Sequence, residues 1–252
     1  LVFLMMLTFT VKAQLITIGT ATTTENYVPC YGYYDYGWSA MLYLQSEIGL
    51  DGDITSIAFY VDNAPSSYTM VDQRIYMRHV AANQFPNGDQ PNAGSMTLVY
   101  QGDITWNGSG WHTITLDTPF PYNNIDNLGI YYENRDGSYA SGYPVFRYTS
   151  QTNRAIYRYL DGSFPASAGT LSSYLPNIQL NITPSTPMSY ASSTVTQNNT
   201  TPVTPGSTNQ EVVGIKVVTS GGLSPLSATS FSCTTIGGDG TTAPATDIQN
   251  AK

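Results

Sequence analysis

The sequence predicts an all-β chain, and three observations carry that prediction. Between residues 110 and 150, runs at 111–116, 127–133 and 145–150 alternate apolar with polar side chains. Asp-Thr-Pro, Asn-Asn and Asp-Gly-Ser turn chemistry separates them, which is the pattern of antiparallel strands with one packed and one wet face. Helical periodicity is absent throughout the 252 residues. Charged residues make up only 10% of the chain, against roughly 25% in an average soluble domain. Tyrosine is abundant instead, 20 residues against 8 phenylalanines, which suits half-exposed strands that carry amphipathic rings.

Taken in order, the chain opens on an apolar run at 1–11 followed by Lys12, Ala13 and Gln14. The run has the length of a secretory leader's apolar segment, and Val11-Lys12-Ala13 is a small-residue cleavage site. It is too short to span a bilayer. We therefore expect cleavage after Ala13, export to the extracellular space or outer cell surface, and no membrane span after processing. No initiating methionine or basic segment precedes the run, so the N-terminus is expected to be truncated. Strands are predicted at 15–22, 39–45, 54–62, 74–80 and 97–102, then at the three runs above, and at 154–160 and 177–182. Within 54–62, Ile57, Phe59 and Val61 share one face. Short strands joined by Gly, Pro, Asn and Asp turns fit a jelly-roll-like antiparallel β-sandwich over 14–182. Residues 183–193 read as a Pro/Ser/Thr linker. A second β-sandwich is predicted over 194–252, with strands at 194–197, 210–219 and 226–235. Three strands are too few to close a core, so this second module is expected to be truncated.

The second segment resembles the N-terminal associated domain of BNR-repeat neuraminidases (sialidases). The residues that carry the likeness are Thr194 to Gln197, Pro205-Gly-Ser207, Asn209-Gln210, Val213-Gly-Ile215, Val217, Pro225-Leu226, Ala228 to Phe231, Thr246-Asp-Ile248 and Asn250-Ala-Lys252. The first domain is similar to β-sandwich modules of bacterial proteins exported by type IX secretion, themselves loosely like cleaved-adhesin and MAM jelly rolls. Ile18-Gly-Thr20, Tyr31-Gly-Tyr33, Ile54 to Ile57, Tyr60 to Asn63, Ile75-Tyr-Met77, Trp111 to Phe120, Phe146-Arg-Tyr148 and Pro176 to Leu180 carry that likeness. It implies an accessory or adhesive part of a larger surface protein and brings no catalytic residues.

The chemistry-bearing residues point the same way. A net charge of −8 with basic residues spread singly leaves no footprint for nucleic acid or anionic lipid. Cys30 and Cys233 fall in different predicted domains, so the cysteines are expected to be unpaired. His79 and His112 are the only histidines, and no zinc-ligand spacing occurs. Gly37 to Met41 approaches a nucleophile elbow but lacks its second glycine and its strand–turn–helix setting. Glu47 and Glu133 could serve as a glycosidase pair only if the fold brought them together. No cofactor is expected, but calcium is possible, because Asp, Asn and backbone oxygens in loops match its preference for six to eight oxygen ligands. The candidates are Asp51 with Asp53, Asp62 with Asn63, Asp126 within Asn123 to Asn127, and Asp136. The same residues also suit tight turns. The strongest binding candidate is the aromatic stretch from Tyr27 to Trp38, through Tyr31, Tyr33, Tyr34, Tyr36 and Trp38. Its rings could stack on sugars or on a protein surface, or could instead close an open end of the sandwich. Two functions are consistent with these readings. One is a non-catalytic extracellular adhesion module for a glycan or a surface protein. The other is the N-terminal accessory region of an exported hydrolase, sialidase or peptidase, whose catalytic domain lies elsewhere.

Overall fold

The computed structural model describes residues 13–185, 187, 189–196, 207, 213–220 and 227–230. The expected leader up to Lys12, Cys233 and most of the second segment's likeness lie outside the described residues. The chain divides into two compact units, one up to Ser185 and the other from Thr186 onward.

The first unit comprises strands β1 (Gln14–Ile18), β2 (Thr24–Glu25) and β3 (Tyr36–Tyr43), a single helical turn α1 (Gln45–Ile48), and strands β4 (Gly52–Val61), β5 (Tyr68–Val80), β6 (Thr97–Trp106), β7 (Gly110–Tyr122), β8 (Asn127–Asn134), β9 (Phe146–Leu160), β10 (Thr170–Pro176) and β11 (Ile178–Pro184). Every ladder is antiparallel. One series runs β1-β11-β4-β7 and the other β10-β9-β3-β8-β5-β6. They meet where Val61 of β4 faces Phe146 of β9, and with β2 paired to the start of β9 the sheet has eleven strands. Inward side chains from both series fill one core: Phe59 and Val61 of β4, Leu180 of β11, Met41 of β3, Tyr132 of β8 and Met77 of β5. That is the packing expected of a β-sandwich, with two apolar faces closing on each other.

Local chemistry explains the departures from simple alternation. Ile54 and Ile57 are both buried in the core, although strict period-2 alternation would place them on opposite faces. Against β11, Ile182 and Asn181 face Ile54 and Ser56, so Thr55 is a bulge that returns Ile54 to the inner face. Opposite β7 the excess lies in β7, where Leu116 to Pro119 intervene between the partners of Ser56 and Ile54. The other face of β3, β8 and β9 is also covered. Trp38, Ala40, Leu42, Tyr131 and Ile156 form a second cluster with Phe85, and Met96 and Phe164 pack against it.

Several predicted boundaries move. The runs at 145–150 and 154–160 belong to one strand, β9, with Asn153 at a positive φ of 53° near its middle. Strands β2 and β10 and the turn α1 were not predicted, being too short or too polar to show periodicity. Strand β11 extends through Pro184, so the predicted linker at 183–193 begins inside a strand.

In the second unit, β12 (Ser189–Thr196) pairs with β13 (Gly214–Ser220). Residues 189–193, read as linker, are therefore strand. Their Ser/Tyr/Ala sequence shows no alternation because β12 is exposed along its whole length. Residues 227–230 are not in a strand, contrary to the strand predicted at 226–235. Among the described residues, no helix is long and apolar enough to cross a membrane.

Candidate functional site

The chain's most distinctive surface is a network of tyrosine rings at the end of the first unit where β3 begins. The β2–β3 loop supplies Tyr27, Tyr31, Tyr33 and Tyr34, the β8–β9 loop supplies Tyr139 and Tyr143, and β9 supplies Tyr157 and Tyr159. Tyr31 lies at the centre. Its ring contacts those of Tyr27, Tyr33, Tyr34, Tyr143 and Tyr159 at centroid separations of 5.2 to 5.7 Å. Tyr27 stacks on Tyr157 at 5.0 Å, Tyr34 stacks on Tyr159 at 5.8 Å, and Tyr139 meets Tyr33 at 6.0 Å. Offset-stacked and edge-on pairs of this kind each add about 0.5–1.5 kcal/mol beyond area burial. The network is thus a preformed surface. Three of its rings face solvent, Tyr27 at 37%, Tyr33 at 51% and Tyr139 at 62% exposure, while Tyr31, which contacts Tyr27 and Tyr33, is half-buried.

The backbone around the rings is held by specific contacts. The Tyr68 hydroxyl donates to the Gly32 carbonyl at 2.8 Å. A Cβ on Gly32 would lie 2.6 Å from that hydroxyl and 2.7 Å from the Cβ of Tyr143, so only glycine permits the approach. Gly37 of β3 plays a similar part, because a Cβ there would sit 2.0 Å from Tyr159 Cδ1. The Tyr159 ring therefore lies directly on the β3 backbone, and its hydroxyl donates to the Tyr27 carbonyl. Asp35 ties the neighbouring loops together. Its carbonyl accepts from the Gly137 N–H at 2.9 Å, and its carboxylate from the Gly162 N–H at 2.9 Å.

Glu25 anchors the base of the aromatic loop. Its carboxyl accepts the backbone N–H groups of Tyr27 and Val28, the latter at 2.9 Å, and it is buried. Burial pushes this carboxyl up to about 8, against the opposing pull of the backbone N–H groups of Tyr27, Val28 and Asn26. A carboxyl raised above its ordinary value of 4.5 favours the folded state while neutral in both states. The unfolded chain ionises first as pH rises, so stability contributed by Glu25 is complete below about 4.5 and is lost progressively up to about 8. The slope is at most about 1.4 kcal/mol per pH unit. Denaturant titrations at pH 5.5, 7 and 8.5 are expected to show this fall in the natural chain and a flatter profile in Glu25→Gln. Parallel profiles for the two proteins would remove the assignment.

Of the binding residues predicted from sequence, the structure brings Tyr31, Tyr33 and Tyr34 into this network. Tyr36 stands apart from the ring contacts, with its hydroxyl beside Gly137. Trp38 is a correction: it is buried on the far face of the sheet against Tyr131. Strand β3 already begins at Tyr36, and period-2 alternation then turns Trp38, Ala40 and Leu42 together to that face. The sequence reading missed Tyr139, Tyr143, Tyr157 and Tyr159, since only the fold brings distant loops and β9 to the same end.

The candidate calcium residues are not gathered into one site. Asp62 pairs with Arg147 at 2.6 Å, and Asn63 bridges the Tyr143 carbonyl and the Val145 N–H. Asp136 accepts from the Val71 N–H and the Ser138 hydroxyl. Asp126 accepts from Asn123 Nδ2 at 2.9 Å inside a tight turn. Asp51 and Asp53 flank Gly52 at the start of β4, Asp51 half-buried and Asp53 exposed. Among the described residues, no group of three or more His, Cys, Asp or Glu side chains is arranged to hold a metal ion.

The residues weighed for catalysis lie apart. Glu133 pairs across the ladder with Trp38 near the start of β3 and is ion-paired to Arg135 at 2.7 Å, whereas Glu47 follows the other end of β3 and binds Arg154. At roughly 3.3 Å per strand residue their separation is on the order of 15 Å, beyond the roughly 5–9.5 Å of paired glycosidase carboxylates. His112 Nε2 lies 3.0 Å from the Gly108 carbonyl and its ring rests against Trp106. His79 Nε2 accepts from the Asn123 N–H. Ser39 is buried within β3 and donates to the Pro29 carbonyl, so it is no nucleophile elbow. Cys30 is buried, and burial drives its thiol well above the usual range, which suppresses thiolate reactivity. Compared with known proteins, the chain matches no known family, no curated protein and no solved structure.

Proposed function

We propose that the chain is a non-catalytic binding module of an exported bacterial surface protein, and that the tyrosine surface at the β3-start end of its first unit is the contact face. The observation that carries this reading is the continuous ring network with Tyr27, Tyr33 and Tyr139 turned outward. Their hydroxyls make no hydrogen bond among the described residues, so each ring offers an apolar face and an unused polar tip. That combination suits the C–H faces and hydroxyls of a glycan chain. The rings form a broad surface rather than a pocket, which favours an extended polymer over a small soluble sugar. A sparsely charged, tyrosine-rich composition and the leader expected at the N-terminus support export.

The test is binding of the full chain to a glycan array and to insoluble polysaccharides, with Tyr33→Ala/Tyr139→Ala as the contrast. Loss of two exposed stacking rings is expected to weaken binding about ten-fold or more, since each is worth about 0.5–1.5 kcal/mol. Far-UV circular dichroism should be unchanged because both side chains are exposed. Blank arrays with a retained protein ligand would move the same surface to protein recognition.

A further inference from the structure

The opposite end of the first unit holds a second, chemically different feature. Strand β3 separates the two ends by its length, about 25 Å at roughly 3.3 Å per residue. Where β3 ends, α1, the residues after β5 and the β7–β8 loop enclose an open cleft of about 350 Å³. That volume lies at the lower end of the roughly 300–1,000 Å³ of small-molecule sites. Gln45, Ser46, Asn83, Ile125, Asp126 and Asn127 are among its lining residues.

The lining side chains are fixed at one end and unused at the other. Asn127 is buried. It accepts from the Gln45 N–H at 2.8 Å and donates to the Ala82 carbonyl and to Asn83 Oδ1 at 2.9 Å. Asn83 is thereby held by its oxygen, which leaves its amide N–H₂ free among the described residues. Gln45 is held by its nitrogen, which donates to Asn124 Oδ1 at 3.0 Å, and its oxygen is left free. One Asp126 oxygen accepts from Asn123, and the other makes no hydrogen bond among the described residues. Ile125 stands at the rim, 81% exposed, the most exposed large hydrophobic side chain among the described residues.

We infer that this cleft is a second binding site, for an uncharged, hydroxyl-rich ligand of one or two sugar rings. Oriented neutral donors and acceptors with a single carboxylate match hydroxyls that both donate and accept. Ile125 provides an apolar wall for a ring's C–H face. The carboxylate disfavours an anion, and a lone carboxylate among amides falls short of the six to eight oxygens calcium takes. Because the network already holds the amides in place, little side-chain entropy remains to be lost on binding. The site is independent of the tyrosine surface.

Saturation-transfer NMR of the full chain with a panel of underivatised mono- and disaccharides tests this. At least one member should receive saturation. Its signal should fall at least ten-fold in Gln45→Ala/Asn83→Ala while persisting in Tyr33→Ala/Tyr139→Ala. Thermal unfolding of both variants monitors the fold, and Ile125→Ser, at an exposed rim position, gives a second probe that should weaken the same signal without loss of stability. A silent panel at 10 mM (order of magnitude, weaker than the roughly millimolar limit of useful affinity), or a signal indifferent to both cleft variants, overturns the assignment. A signal abolished only by the tyrosine variant also overturns it and leaves the reading of the tyrosine surface standing.

Discussion

Glu47→Ala is expected to lower the unfolding free energy by about 3–5 kcal/mol, a large share of the roughly 5–15 kcal/mol that holds a typical domain. Arg154 is buried within β9, and its Nη2 donates to both carboxylate oxygens of Glu47 at 2.9 Å. Its Nε has no acceptor among the described residues, so the carboxylate is the guanidinium's main partner. Glu47 has a second task, accepting the Leu44 N–H at 2.8 Å as the chain turns from β3 into α1. Truncation strands a buried cation and frees a backbone donor at once. The Glu47 side chain is 26% exposed, so water entering from that side will moderate the loss toward the lower figure. Replacing both partners, Glu47→Ala with Arg154→Met, removes the stranded charge and should recover much of the stability. Urea unfolding of the two single variants and the double variant closes the cycle. A single-variant loss under about 1 kcal/mol, or a double variant no more stable than Glu47→Ala, would show that the pair is not a structural ion pair.

This contrast between partners far apart in sequence also marks where sequence reading stops. The strands are local features. Ile57, Phe59 and Val61 announce β4 by alternation, and they lie in the core as that alternation requires. The bulge at Thr55, which turns Ile54 inward, has no such signature, because one extra residue shifts the pattern and hides it. The cover over the outer face of β3 and β8 was equally hidden. Phe85, Met96 and Phe164 stand singly in Pro-, Gly- and Asn-rich segments that read as loop, and only the fold shows that they shield Trp38 and Tyr131. At the tyrosine surface, the loop from Tyr27 to Tyr34 was legible as a cluster of rings in one stretch. Tyr139, Tyr143, Tyr157 and Tyr159 were not, since antiparallel pairing of β3 with both β8 and β9 brings them to that loop. Trp38 failed for the converse reason: its place in the aromatic run mattered less than its parity in the strand.

Phe146→Ala is expected to destabilise the first unit by about 3–5 kcal/mol. Phe146 is fully buried at the first residue of β9, and its ring meets Trp106 edge-on at 5.2 Å and Phe59 at 6.3 Å. Its backbone faces Val61 of β4 on one side and Glu25 of β2 on the other. The residue therefore occupies the point at which the two ladder series are joined, and its side chain fills the space between β4, β6 and β9. Alanine leaves a cavity walled by Trp106 and Phe59, two rigid rings that collapse poorly, so relaxation should recover little of the loss. Phe146→Leu keeps most of the volume and should lose under about 2 kcal/mol, with the edge-on ring contacts accounting for most of that difference. Urea unfolding followed by tryptophan fluorescence reads Trp106 beside the cavity together with Trp38 and Trp111, and far-UV circular dichroism reads the sheet as a whole. If Phe146 is the joint between the series, both probes should move to lower denaturant together, because neither series can keep its inner face covered without the other. A small effect of alanine, or a fluorescence transition that shifts while the circular dichroism stays in place, would show that the two series are held together elsewhere.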